Sequence, residues 1–182
     1  VIQVPAGFSA TLRSLTVTNG AIPLNGDGIG VENAGTLIVA NSIFSGSHGT
    51  GGALANTGVL TVTDSVFAGN YTMCEANTEI GGSIFNRGML YVAGTLFSRN
   101  RATSSALCLG AGGAIYNAEG YTATVASSTF SDNSAAHAGG AIFNSGMMTV
   151  ANSTFSGNSL FIDTAGGSAI YNQGVLSIIN ST

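Results

Sequence analysis

An Asn followed closely by Gly recurs in six registers of the chain. A pair of small residues and an aliphatic residue precede each register, and a strand-like stretch that most often ends in Phe follows it. Together these predict an all-β chain: a single-stranded right-handed parallel β-helix, or β-solenoid, of about seven coils. Residues 1–182 then form a single β-helix domain, with 1–27 as a partial first coil and loop and 28–182 as repeated coils.

The registers are Asn33-Ala34-Gly35, Asn56-Thr57-Gly58, Asn86-Arg87-Gly88, Asn117 with Gly120, Asn144-Ser145-Gly146 and Asn172-Gln173-Gly174. Before them stand units such as Gly81-Gly82-Ser83-Ile84 and Gly139-Gly140-Ala141-Ile142. Gly28-Ile29-Gly30-Val31 is a degenerate copy, and Gly166 to Ile170 carries one extra residue. After them come Phe44, Phe67, Phe97, Phe130 and Phe155, and the unit closes at Asn70, Asn100, Asn133 and Asn158, with Ser47 substituting once.

From the first Gly to the closing residue the unit is 20 residues long in 28–47, 51–70, 81–100 and 139–158, and 22 in 112–133. The remaining length variation falls in the connectors 20–27, 48–50, 71–80, 101–111, 134–138 and 159–165. Insertions that leave stacked strands undisturbed gather in this way at one corner of a solenoid.

Each position becomes a column. Val39, Val62, Val92, Val125 and Val150 lie five residues before the Phe, and Leu37, Leu60, Leu90, Ala123 and Met148 two residues earlier. A period of two puts both columns on one strand face, pointing inward, while Thr61, Thr63, Thr149 and Ala151 point outward. Coils about 4.8 Å apart then stack Phe on Phe and Ile on Ile. Asn at the corners tolerates left-handed φ and can pass amide hydrogen bonds along the stack. In the partial first coil, Leu12, Leu15, Val17 and Asn19 match the later strands, with Val1 to Val4 as an opening strand. No window repeats apolar residues with helical spacing, and a propeller would need about 40 residues per blade.

Composition agrees. The 182 residues are 45% hydrophobic and 7% charged, with 27 Gly, 2 Pro and no Trp. Apolar residues are never contiguous over the ~18 positions that span a bilayer, so direct membrane insertion is not expected. A net charge of −4 without Lys argues against nucleic-acid binding, which needs a basic stripe. Val1 is not a natural initiator and Asn180-Ser181-Thr182 stops in mid-repeat, so a processed chain or an excerpt of a longer one is expected.

The glycine units and the Phe-x-x-Asn units, Phe67-Ala68-Gly69-Asn70 through Phe155-Ser156-Gly157-Asn158, resemble the paired repeats of chlamydial polymorphic outer-membrane proteins and of large secreted bacterial β-helix proteins. Phe44 to Ser47 departs at its last residue and Gly28 to Val31 within the glycine unit. The resemblance covers about residues 28 to 182. It implies the pectate-lyase-like superfold and a secreted or cell-surface protein, outer-membrane associated and often adhesive. The family supplies no catalytic residues to carry over.

Cys74 and Cys108 are the two cysteines and lie in the two longest connectors, on neighbouring coils. One coil spacing suits the Cα separation of a disulfide, worth about 3–4 kcal/mol for such a loop. The competing reading is two free or buried thiols. Enzymatic chemistry on a β-helix needs clustered carboxylates, or Arg and a metal, on one face. Asp64 aligns instead with Asn41, Gly94, Ser127 and Asn152, as a corner residue. Glu75 and Glu79 read as salt-bridge partners of Arg101, and His48 and His137 as solvated loop residues too far apart to share a metal ion. The Asn-x-Thr triplets at Asn70, Asn152 and Asn180 fall in structural columns and read as chance glycosylation matches. No catalytic, cofactor or metal site is expected, and the chain is read as a non-enzyme.

Beside the buried Ile column, Phe85, Tyr116, Phe143 and Tyr171 point outward. They form either an aromatic ridge for sugars or another subunit, or a surface covered by connectors through Leu160, Phe161 and Ile162. The leading expectation is an extracellular structural or adhesive module with a host-surface or glycan ligand, self-associating end to end into a fibre. A carbohydrate-binding or polysaccharide-degrading β-helix is the alternative. Ice binding, hinted at by Thr16, Thr18, Thr61 and Thr63, is weakened by Ile38, Tyr91 and Ala93 in the rows.

Overall fold

A computed structural model describes residues 2–20, 30–49, 52–72, 81–104, 110–162 and 166–182. Each coil takes the chain through short strands separated by tight corners. In the coil around Asn86 these are Ile84–Asn86, Met89–Ala93, Leu96–Ser98 and Arg101–Ala102. Every strand pairs in parallel with its counterparts in the coils before and after, as Leu90 does with Leu60 and Ala123. Among the described residues this stacking generates four parallel sheets. The first sheet and the broad sheet have seven strands each, the phenylalanine sheet six and a short sheet five. The result is a parallel β-helix of seven coils.

The inward columns build the core that the alternation predicts. The valines from Val39 to Val150 and Ile84, Ile115 and Ile142 of the first sheet are fully buried, and so are Phe44, Phe67, Phe97 and Phe130. Successive rings from Phe44 to Phe155 stack at 4.8–5.1 Å, with planes within 14° of parallel. The ring separation equals the strand spacing, so the backbone itself sets the stack.

Asn does two jobs, and different columns do them. At the end of each first-sheet strand, from Asn33 to Asn144, the side chain is buried, and each Nδ2 donates to the Oδ1 one coil later. These bonds run 33 to 56, 86, 117, 144 and 172 at 2.7–2.8 Å. A second ladder joins Asn70, Asn100, Asn133 and Asn158 at 2.9–3.0 Å, and each Nδ2 also donates to a Phe carbonyl, as Asn100 does to Phe67 O. The left-handed corners belong to other residues: Asn41, Asp64, Ser127 and Asn152 have φ of 48–50°, where short polar side chains are tolerated.

Three features depart from expectation. The first two residues of the last five connectors are not loop: His48–Gly49, Tyr71–Thr72, Arg101–Ala102, Ser134–Ala135 and Ser159–Leu160 are the short sheet. Thr72, Ala102 and Ala135 on it are fully buried. The first coil is fuller than expected, contributing Ile2–Val4, Ser9–Arg13 and Thr16–Thr18 to three sheets.

The third concerns the 22-residue coil, where Tyr121 and not Gly120 occupies the glycine column. Tyr121 O accepts from Met147 N as Gly58 O accepts from Met89 N. Coils approach so closely here that a Cβ on Gly58 would collide with the Gly35 carbonyl. The added residues Glu119 and Gly120 make a turn, closed by Tyr121 N donating to Ala118 O at 3.3 Å, with Gly120 at φ +82°. Pro5 to Phe8 repeats this turn, with Gly7 at φ +83°. A positive φ at its third position is what glycine supplies.

Candidate functional site

The outer face of the first sheet carries one column: Gln3, Glu32, Ala55, then the four aromatic residues Phe85, Tyr116, Phe143 and Tyr171. Tyr116, Phe143 and Tyr171 stack with centroids 4.7 and 5.5 Å apart, and Phe85 meets Tyr116 at 5.4 Å with its plane tilted by 52°. The column is not an open ridge along its length. Tyr116 and Phe143 are buried, in a second small core with Ala111, Ala118 and Ala138. Ala111 and Ala138 pair with each other as an isolated bridge. Alanine does the covering, not the Leu160 to Ile162 segment, of which Phe161 and Ile162 are each 40% exposed. Phe85 and Tyr171, at the two ends, are half-buried, and the Arg87 guanidinium lies 4.8 Å above the Phe85 ring centre.

At the N-terminal end of the column a different surface opens. Ala55 is the one small residue between Glu32 and Phe85, and its truncated side chain leaves a notch beside them. Gln3, Glu32, Ala34, Ala55 and Thr57 line a shallow groove of about 310 Å³ over Val4, Pro5 and Asn33. Gln3 Nε2 donates to Glu32 Oε2 at 2.8 Å, so the carboxylate is oriented along the groove's upper wall. Parallel pairing sets Phe85 next to Ala55 one coil further on, on the opposite side of the notch. The groove thus has a carboxylate and an amide on one side, while the Phe85 ring with its guanidinium stands one coil beyond Ala55, outside the lining.

The other residues singled out from the sequence do not converge. Cys74, Cys108, Glu75 and Glu79 lie outside the described residues. Arg101 packs over the Phe161 ring at 4.0 Å. The His48 ring nitrogen Nδ1 is 3.0 Å from Gly46 O, while His137 sits on a connector several coils away. Asp64 is a left-handed corner at φ 49°, one of the corner column with Asn41 and Asn152. Asn70 is fully buried with its amide bonded to Asn100 and Phe44; Asn152 and Asn180 are exposed left-handed corners. Among the described residues, no three His, Cys, Asp or Glu side chains are grouped to hold a metal ion. No helix there is long and apolar enough to cross a membrane.

A third ladder escapes a reading by strong residue types. Ser42, Ser65, Thr95, Ser128, Ser153 and Ser181 each donate Oγ to the carbonyl two residues back, at 2.7–3.0 Å. Most also accept a backbone N–H from the coil before, as Ser42 N donates to Ser65 Oγ at 3.1 Å. The signal is present in the sequence: a hydroxyl residue follows the left-handed corner in six of the seven coils, the first having Leu15 after Ser14.

In-register parallel sheets, side-chain ladders and one variable corner define a coil-wound solenoid of the repeat class. The chain belongs to the right-handed β-helix family: the model described as "Right handed beta helix region" matches residues 1–182. No curated protein and no solved structure matches it.

Proposed function

We propose that the chain is a non-catalytic structural or adhesive module of the cell exterior, a stiff rod that displays its connectors at one corner. What carries this reading is the continuity of the side-chain ladders. Two Asn ladders, a hydroxyl ladder and a Phe stack tie nearly every coil to the next, while length variation, apart from the turns at Pro5 to Phe8 and Ala118 to Tyr121, is confined to the connectors. Such a scaffold tolerates change in what it displays and little change in itself. The likeness of its Gly-Gly-Ala-Ile and Phe-x-x-Asn units to chlamydial polymorphic outer-membrane repeats supports a surface location. End-to-end stacking of rods into a fibre belongs to the same proposal, because every coil edge is a parallel strand template. Immunostaining of unpermeabilised cells tests the location, and protein confined to the cytoplasm would refute it. In an oxidising compartment Cys74 and Cys108 are expected to resist alkylation until reduced.

A second reading rests on the groove at Ala55. The groove offers the Gln3 amide and the Glu32 carboxylate, with the Phe85 ring one coil beyond Ala55, and polar groups near an aromatic ring are the combination that holds a sugar. Titration calorimetry with neutral and acidic oligosaccharides tests it. Binding lost in both Glu32→Gln and Phe85→Ala supports this reading, and absence of binding to any of them removes it.

A further inference from the structure

The broad sheet presents its outer face as three rows, one for each outward position of its five-residue strands. The first row carries Val59, Met89, Met147 and Val175, exposed at 42, 62, 53 and 66%, among the hydroxyl residues Ser9, Thr36 and Thr122. The third row is small over its middle, with Ala40, Thr63, Ala93, Ala126 and Ala151, and ends in Arg13 and Ile179. The middle row alternates hydroxyl residues, Thr61 and Thr149 among them, with Ile38 and Tyr91. Arg13, at one end, is the single charge on the face. Thr16 and Thr18 belong to the phenylalanine sheet, so they do not extend a threonine row here.

We infer that this face pairs with the same face of a second copy of the chain, about a two-fold axis parallel to the solenoid axis. Three observations select a second copy. The first is shape. A two-fold in that direction reverses the strands and keeps the coil level, so the first row of one copy meets the third row of the other. Met89 then lies on the partner copy's alanine at 93, and Met147 on its alanine at 151. At these two levels large side chains fall on small ones, the arrangement that fills the space between sheets about 10 Å apart, whereas at the C-terminal strand Val175 falls on the partner copy's Ile179. Tyr91 and Thr149 meet their own counterparts near the axis.

The second is period. Rows that repeat at the strand spacing mesh over their whole length only with a surface of the same spacing, which another solenoid supplies. The third is area and charge. Seven strands of five residues cover about 550 Å² in plan, so pairing buries about 1,100 Å² in total, above the ~1,000 Å² that a specific interface requires. A face with one peripheral charge brings no like-charge row against itself, although the whole chain carries −4. Phe8, 66% exposed, and Tyr121, 38% exposed, both project at the glycine-column margin of this face. Each is raised there by the turn described above, and they add aromatic anchors at its rim.

Sedimentation equilibrium of the full-length protein tests the pairing. Wild type is expected to dimerise, and Met89→Lys with Met147→Lys to raise the dimer Kd by about 100-fold or more, because two ammonium groups from each copy would be buried unpaired. Thr129→Lys, exposed on the phenylalanine sheet, is the control and should leave the Kd unchanged; circular dichroism confirms that all three proteins fold. A photo-crosslinking phenylalanine analogue at position 91 should join two copies of the peptide that contains it. A monomeric wild type, assembly unaffected by the two lysines, or crosslinks from position 91 to another face would each overturn the inference. Thermal hysteresis by a monomeric wild type would assign the face to ice instead.

Discussion

Val4 pairs with Asn33 across the first sheet, in the position that Asn holds in every later coil, and leaves the Asn33 Oδ1 buried with no hydrogen-bond donor. The ladder therefore has an unequal pair of rungs. Asn33 donates to Asn56 and to Val59 O but accepts nothing. Asn86 donates to Asn117, Gly88 and Thr122 and accepts from Asn56 and the Gly88 amide.

The cost of removing a rung should follow this inequality. Asn86→Ala leaves buried groups on Asn56 and Asn117 unpaired and is expected to destabilise by about 3–5 kcal/mol. Asn33→Ala also deletes an acceptor that is already unsatisfied, and should cost about 1–2 kcal/mol less. Urea unfolding of the two variants checks the order. Equal losses would show that the ladder's hydrogen bonds do not determine its stability.

The second ladder has its own defect. Ser47 stands where the later coils have Asn, and its buried Oγ has no partner. An Asn there could donate to Asn70 Oδ1, which now accepts only the Ser47 amide from that coil, and to the Val17 carbonyl, by analogy with Asn70 and Phe44. Ser47→Asn is expected to stabilise by about 1 kcal/mol, raising Tm by about 2–4 °C. A lowered Tm in calorimetry would mean that the corner cannot admit the larger side chain.

The solenoid was legible because it writes each column into the sequence as a repeat. Phe97 and Val92 could be assigned inward from spacing alone, since one strand period settles the facing of every residue on that strand. Asp64 could likewise be moved from chemistry to architecture by its alignment with Asn41. Other features left weaker traces. Ser65 and Thr95 form a buried ladder, but hydroxyl residues are so common in this chain that the column does not stand out. Ala102 and Ala135 were hidden at the start of connectors whose lengths differ. Tyr121 took a glycine's place through a two-residue insertion that alignment on Gly120 misassigned. For the candidate groove, Phe85 was visible as an aromatic, whereas Ala55 matters for the side chain it lacks. Small residues such as Ala111 and Ala138 gave no hint that they cover Tyr116.

The corner after the Phe holds a strained residue. Arg99 has φ 54° in a column where Gly46, Gly69 and Gly157 adopt the same left-handed conformation. A side chain there costs about 1–2 kcal/mol unless it is short and polar. Arg99→Gly should therefore raise stability by about 1 kcal/mol despite removing a charge, while Ser127→Val, at φ 48° in the other corner column, should lower it by at least as much. Chemical denaturation measures both. Loss of stability in Arg99→Gly would assign Arg99 a contact worth more than its backbone strain.

The phenylalanine stack should be least tolerant at its centre. Phe97 is fully buried between Phe67 and Phe130, at 5.1 and 4.9 Å, and neighbouring coils are hydrogen-bonded at the strand spacing, so they cannot close on a gap. Phe97→Ala is expected to cost about 3–5 kcal/mol. Phe155 is only half-buried and has one described ring neighbour, Phe130; its truncation should cost about half as much, because less apolar surface leaves its neighbours. Phe97→Leu should recover much of the loss through volume while lacking the ring contacts. Thermal unfolding of the three variants decides the matter: if Phe97→Ala and Phe155→Ala are equally damaging, the stack is not a continuous core in which each ring is held by two others.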